Sequence, residues 1–109
     1  MFIKTTIFIL ISLTISMKAK SNQSSIDLLK EGGKLIFIRH AIAPGNGDPK
    51  NFDINDCLTQ RNLNSKGRKQ ALMIKSFFKE NQIPIYEVLS SEWCRCKETA
   101  FLSFKNFET

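Results

Sequence analysis

The chain has 109 residues, 42% of them apolar and 24% charged, with a formal net charge of +6. That length supports one small domain at most, and the composition is globular rather than disordered. No internal repeat or low-complexity tract is present, which excludes repeat and fibrous architectures.

The first segment accounts for half of the charge. Lys4 precedes an uncharged apolar run over residues 5–17, and Lys18, Ala19, Lys20 and Ser21 follow it. A basic start, an apolar centre and a small-residue exit form the layout of a secretory signal peptide, here residues 1–21. At 13 residues the run is short of the roughly 20 needed to span a bilayer, so no stable membrane span is expected after cleavage. A retained N-terminal anchor is the alternative. Removing Lys4, Lys18 and Lys20 lowers the net charge from +6 to +3. This is too mild a charge, with no aromatic-interleaved basic patch, to point to nucleic acid.

Beyond the export segment, Ser24 with Asp27 three residues later marks a helix start, and Gly32-Gly33 marks its end. Residues 34–38, Lys-Leu-Ile-Phe-Ile, are apolar on both faces and predict a strand buried between layers. A loop rich in Pro, Gly, Asn and Asp covers residues 43–55. A second helix is predicted from about 65 to 82, capped by Asn64 or Ser65. Ala71, Ile74, Phe77 and Phe78 lie on its apolar stripe. Pro84 closes that segment, residues 85–89 predict a second strand, and a third helix opens near Ser91 and runs through Ala100 and Phe104.

Two strands joined through a helix imply a right-handed parallel crossover. The expected fold is therefore α/β, the beginning of a three-layer α/β/α sandwich with a mainly parallel sheet. Of the three cysteines, Cys94 and Cys96 are poorly placed to pair with each other. Cys57 bridging either one is the open choice in an oxidising compartment.

In such a sheet, ligands bind beyond the carboxyl ends of the strands. The first strand ends in Arg39-His40, and the second ends in Ser90-Ser91, followed within a turn by Arg95. Two guanidiniums, an imidazole and two hydroxyls at one edge would make an anion site suited to phosphate. The imidazole is then placed to attack phosphorus or to move a proton.

Three motifs occur in order: Arg39-His40-Ala41, then Leu63-Asn64-x-x-Gly67-x-x-Gln70-Ala71, then Val88-x-Ser90-Ser91-x-x-x-Arg95-x-x-x-Thr99-Ala100. Between about Lys34 and Ala100 the chain resembles the histidine phosphatase superfamily, the phosphoglycerate-mutase-like proteins. The resemblance implies a phosphohydrolase in which His40 is the nucleophile that becomes phosphohistidine. Arg39 and Arg95 would be catalytic and substrate-binding arginines holding the phosphoryl oxygens. Asn46 takes the place of a polar phosphate-contacting residue in many members. Gly67, Gln70 and Thr99 match structural positions. No metal or cofactor is implied.

Ala41 replaces the more usual Gly, and Glu92 stands where Pro is common. A larger departure concerns the second histidine and the acidic general acid of the family's site, since His40 is the sole histidine. Residues 22–109 therefore read as the N-terminal part of such a domain, truncated to its N-terminal half, with weak activity or none expected of the chain alone. The alternative is a catalytically inactive, phospho-ligand-binding remnant on the same scaffold.

The runs Ala43-Pro44-Gly45, Gly47-Asp48-Pro49, residues 56–63 and Trp93-Cys94-Arg95-Cys96 are similar to an exported bacterial branch. That branch is grouped near lipopolysaccharide-core heptose phosphatases. The resemblance thus suggests a periplasmic or secreted protein and a small phosphorylated substrate, such as a cell-envelope phospho-sugar. Two rivals are weaker. Cys57, Cys94, Cys96 and His40 lack the spacing of a closed zinc site, and Gly45-Asn46-Gly47 lacks the third glycine of a nucleotide cradle.

Overall fold

A computed structural model describes residues 23–109, so the expected signal peptide lies outside the described residues. Helix α1 (Ser25–Lys30) starts where Ser24 caps it: the Ser24 side chain accepts the Asp27 N–H. It stops at Glu31, and Gly32 and Gly33 then turn away through φ values of +70° and +63° that a side chain would resist.

Helix α2 (Ser65–Glu80) is capped by Asn64, whose Oδ1 accepts the Gly67 N–H at 2.8 Å. Gly67, Ala71 and Phe78 face inward from it, Ile74 is half-buried, and Phe77 stays partly exposed. Helix α3 (Cys94–Phe104) opens three residues later than the sequence suggests. Its N-cap, Trp93, offers no side-chain bond. Instead the Cys94 N–H is capped from a distance by Gln60 Oε1 at 2.9 Å. Gln60 is itself held by its amide to the carbonyls of Asp53 and Ile54.

Helices α2 and α3 pack on each other, with Ser103 Oγ donating to the Ala71 carbonyl at 3.0 Å. Phe78 meets Phe104 edge to face at 5.1 Å, which closes one end of the contact. The central cluster is small: Ala41, Ala43, Leu63 and Ala71, with Leu102 against it. A disulfide joins Cys57, in the 3-10 turn Cys57–Thr59, to Cys94 at the head of α3, and Cys96 remains a half-buried free thiol. The bridge fastens the 43–62 region to that helix.

The expected three-layer α/β/α sandwich with a mainly parallel sheet is not what the chain forms. Among the described residues there are helices and isolated bridges but no strand and no sheet. A strand is a property of pairing, not of an apolar run, and the two expected strands do not pair. Leu35 and Phe37 are 84% and 89% exposed, and Tyr86 is 86% exposed. The isolated bridges among the described residues are Asp53 with Asp56, antiparallel, and Leu89 with Glu108, parallel; in the second the Glu108 carbonyl accepts the Ser90 N–H and the Val88 carbonyl accepts the Glu108 N–H. No described helix is long and apolar enough to cross a membrane.

Candidate functional site

Residues 41–43 are threaded between α2 and α3, and their backbone is bonded residue by residue. The Ala41 N–H donates to Thr99 Oγ1 at 3.0 Å, and that hydroxyl in turn donates to the Arg95 carbonyl at 2.7 Å. The Ile42 N–H donates to Gln70 Oε1 at 3.0 Å, and the Ile42 carbonyl accepts the Asn64 N–H at 3.4 Å. Gly67 makes the approach possible, because a Cβ there would sit 2.1 Å from the Ile42 oxygen. Ala41 and Ala43 are consequently 2% and 8% exposed. Gln70, Gly67 and Thr99 thus do one job together: they fix the segment that leaves His40.

His40 is half-buried at the start of that segment. Its Nδ1 lies 2.7 Å from the Ala41 carbonyl oxygen. A carbonyl only accepts, so Nδ1 carries the hydrogen and the lone pair of the neutral ring is at Nε2. His40 lines a cavity of about 550 Å³ between segments 34–38 and 84–91, together with Ser90, Ser91, Thr99 and Cys96. The rest of its lining is largely apolar, including Leu35, Phe37, Phe78 and Phe104.

Arg95 belongs to a different cluster. It is 8% exposed, and its Nη1 donates to Asp48 Oδ1 at 3.0 Å and to the Arg61 carbonyl at 3.4 Å. Its guanidinium carbon lies 4.4 Å from the Trp93 ring centroid, a cation–π contact. Asp48 Oδ1 also accepts the Arg61 N–H at 2.9 Å. That backbone bond, and then the Arg95 guanidinium, hold the Asp48 carboxyl below the usual carboxylate range against the opposing effect of burial. The Arg61 guanidinium donates to the Ala43 carbonyl through Nη1. The Nε atoms of Arg61 and Arg95 are both buried without a partner.

The structure therefore brings His40, Ser90 and Ser91 to one cavity, and Arg39, Arg95 and Asn46 are not among its lining residues. Arg39 and Asn46 are exposed. Arg95 is tied to the segment after His40 through Thr99 and, by way of Arg61, through the Ala43 carbonyl. Sequence reasoning missed Asp48 and Arg61. Asp48 sits in a Gly- and Pro-rich loop where an acid reads as a turn former, and no local spacing joins it to Arg95, 47 positions away.

Among the described residues no three or more His, Cys, Asp or Glu side chains are grouped so as to hold a metal ion. Cys57 and Cys94 are joined to each other, which removes two of the sulfurs a zinc reading would require. No protein-family model, curated protein or solved structure matches the chain.

Proposed function

We propose that the chain carries the phosphoryl-accepting part of an exported phosphohydrolase of the histidine phosphatase type, acting on a small phosphomonoester through a phosphohistidine at His40. The observation that carries the reading is the Nδ1–H to Ala41 carbonyl bond, which leaves Nε2 as the free lone pair in a cavity that also holds Ser90 and Ser91. A neutral imidazole with its tautomer set by a backbone carbonyl is a ready nucleophile.

In the reaction, Nε2 attacks phosphorus in line with the ester oxygen. The N–P bond forms, the P–O bond breaks, and the departing alkoxide takes its proton from water. Water then attacks phosphohistidine and releases inorganic phosphate. Arg39 and Arg95 are the cations assigned to the phosphoryl oxygens. The order of the three sequence motifs supports this assignment, together with the way Gln70, Gly67 and Thr99 grip the residues after His40. The disulfide supports an oxidising, periplasmic or secreted location.

A second reading has its own observation. Neither Arg39 nor Arg95 lines the His40 cavity, which leaves that cavity without a guanidinium and suits a phospho-ligand-binding protein without turnover. Hydrolysis of p-nitrophenyl phosphate separates the two, because its leaving group departs without a general acid. The phosphatase reading expects turnover by the 109-residue chain that is lost in His40→Ala. Binding of the ester without turnover favours the binder.

A further inference from the structure

In the cluster below the 44–49 loop one carboxylate oxygen serves the Arg95 guanidinium and the Arg61 backbone amide, while the Arg61 guanidinium bonds the Ala43 carbonyl. Asp48 Oδ1 takes both the Arg61 N–H and the Arg95 Nη1–H, and their Nε–H groups are left buried without any acceptor. The local charge is two cations against one anion. The donors available also outnumber the oxygens that a single carboxylate presents. Both Nε–H groups are buried, so water does not make up the shortfall there.

We propose that Asp48 occupies an oxyanion seat built by Arg61 and Arg95, and that a phosphate oxyanion displaces it when the 44–49 loop lifts. The inference rests on the phosphatase reading for its ligand class and adds two elements to it. The Arg61 backbone N–H becomes a further phosphate contact, and Asp48 becomes an internal competitor that keeps the seat filled in the absence of ligand.

The chemistry of the seat favours this exchange. A phosphate group brings three or four oxygens and up to two charges where Asp48 brings two oxygens and one charge, so it can satisfy more of the same donors. The carboxylate is delivered by a short loop rather than by a helix or strand. Gly45 and Gly47 hold φ values of +103° and +73° on its path, and the Gly45 Cα lies against the Arg61 side chain, whose Cδ would be 3.3 Å from an added Cβ. Lifting the loop therefore uncovers Arg61 and Arg95 together. Because Thr99 joins the Arg95 carbonyl to the Ala41 N–H, the seat and the residue after His40 share one short hydrogen-bonded path.

Trp93 is the sole tryptophan and stacks under Arg95, so it reports on the seat without a label. Titration of the 109-residue chain with inorganic phosphate at constant ionic strength is expected to change Trp93 fluorescence, with chloride silent. Asp48→Asn is expected to bind phosphate at least fivefold more tightly, and adding Arg95→Gln to it should remove that gain. Equal or weaker phosphate binding by Asp48→Asn overturns the proposal. If Asp48→Asn loses the native far-UV spectrum, the Asp48 carboxyl carbon resonance of the wild-type chain decides: a shift with phosphate supports the exchange, and no shift overturns it. Labelling of His40 is read separately. Phosphate can displace Asp48 while His40 stays unlabelled, in which case the phosphatase reading fails alone. His40 can also be labelled while Asp48→Asn binds phosphate no better, in which case the seat fails alone.

Discussion

Ala41 and Thr99 lie 58 positions apart, and the Ala41 N–H donates to the Thr99 hydroxyl at 3.0 Å in a buried setting. The same hydroxyl donates to the carbonyl of Arg95, so one side chain links the residue after His40 to the helix that carries Arg95. Thr99→Val keeps the shape of the side chain and removes its oxygen. The Ala41 N–H is then a buried donor without a partner, at a cost of about 1–3 kcal/mol. Urea denaturation should show that loss as a lower midpoint with an unchanged slope. An unchanged midpoint would mean that the bond contributes nothing.

Gly67 is the steric counterpart of that bond. A methyl group there would meet the Ile42 carbonyl oxygen at 2.1 Å, and that oxygen is backbone that α2 cannot push aside without moving the His40 segment. Gly67→Ala is expected to destabilise the chain by about 3 kcal/mol, the upper end of ordinary overpacking. The helix-propensity gain of Ala over Gly, about 1 kcal/mol, acts in the opposite direction and is too small to reverse the sign. The same denaturation assay checks it, and a stabilised variant would contradict the close approach.

The disulfide closes a long loop, with Cys57 and Cys94 lying 37 positions apart. In the chain-entropy description such a bridge contributes about 4 kcal/mol by restricting the unfolded chain. For so small a core that is a large share of the total stability. Reduction by dithiothreitol, or the Cys57→Ser and Cys94→Ser pair, should lower the thermal midpoint by more than 10 °C, on the order expected when about 4 kcal/mol is lost from a domain of this size.

Stability against acid carries the mark of Asp48. The Arg61 N–H and then the Arg95 guanidinium lower its pKa in the folded state. A depressed carboxyl contributes stability that is fully present above its unfolded pKa, about 3.9, and is lost as pH falls through the folded value. Stability should therefore be flat in this respect from pH 7 to about 5 and fall below about 4. Glu31, lowered by the Gln23 side chain and then by Lys34, acts with the same sign, so the wild-type curve alone does not isolate Asp48. The difference between wild type and Asp48→Asn does: it should shrink as pH drops below about 4. A difference that is constant from pH 7 to 2 would show that the carboxylate charge is not what holds Arg95.

Local signals in the sequence located what local chemistry decides. Ser24 and Asn64 start their helices where capping rules place them, and Gly32 with Gly33 ends the first. The third helix was displaced because its cap is Gln60, 34 residues away, which no short-range pattern reveals. The β-branched apolar runs 34–38 and 85–89 predict strands, but a strand also requires a neighbour to pair with, and these runs stay unpaired and largely exposed.

The site shows the same division. His40, Gln70 and Thr99 stand out as residue types at a recognisable spacing, whereas the partners that give Gln70 and Thr99 their work are the backbone N–H groups of Ile42 and Ala41. Any residue but proline carries such a group, so the sequence gives no sign of which one is used. Asp48 and Arg61 are joined to Arg95 only by the way the 43–62 region folds back on α3.

The central claim is that His40 accepts a phosphoryl group at Nε2. The most direct measurement is incubation of the 109-residue chain with phosphoramidate, whose ammonia leaves without an acid catalyst, followed by mass spectrometry and ³¹P NMR. The account expects one acid-labile, base-stable phosphate on His40, absent from His40→Ala. A wild-type chain that stays unmodified while a free imidazole control is phosphorylated would contradict it.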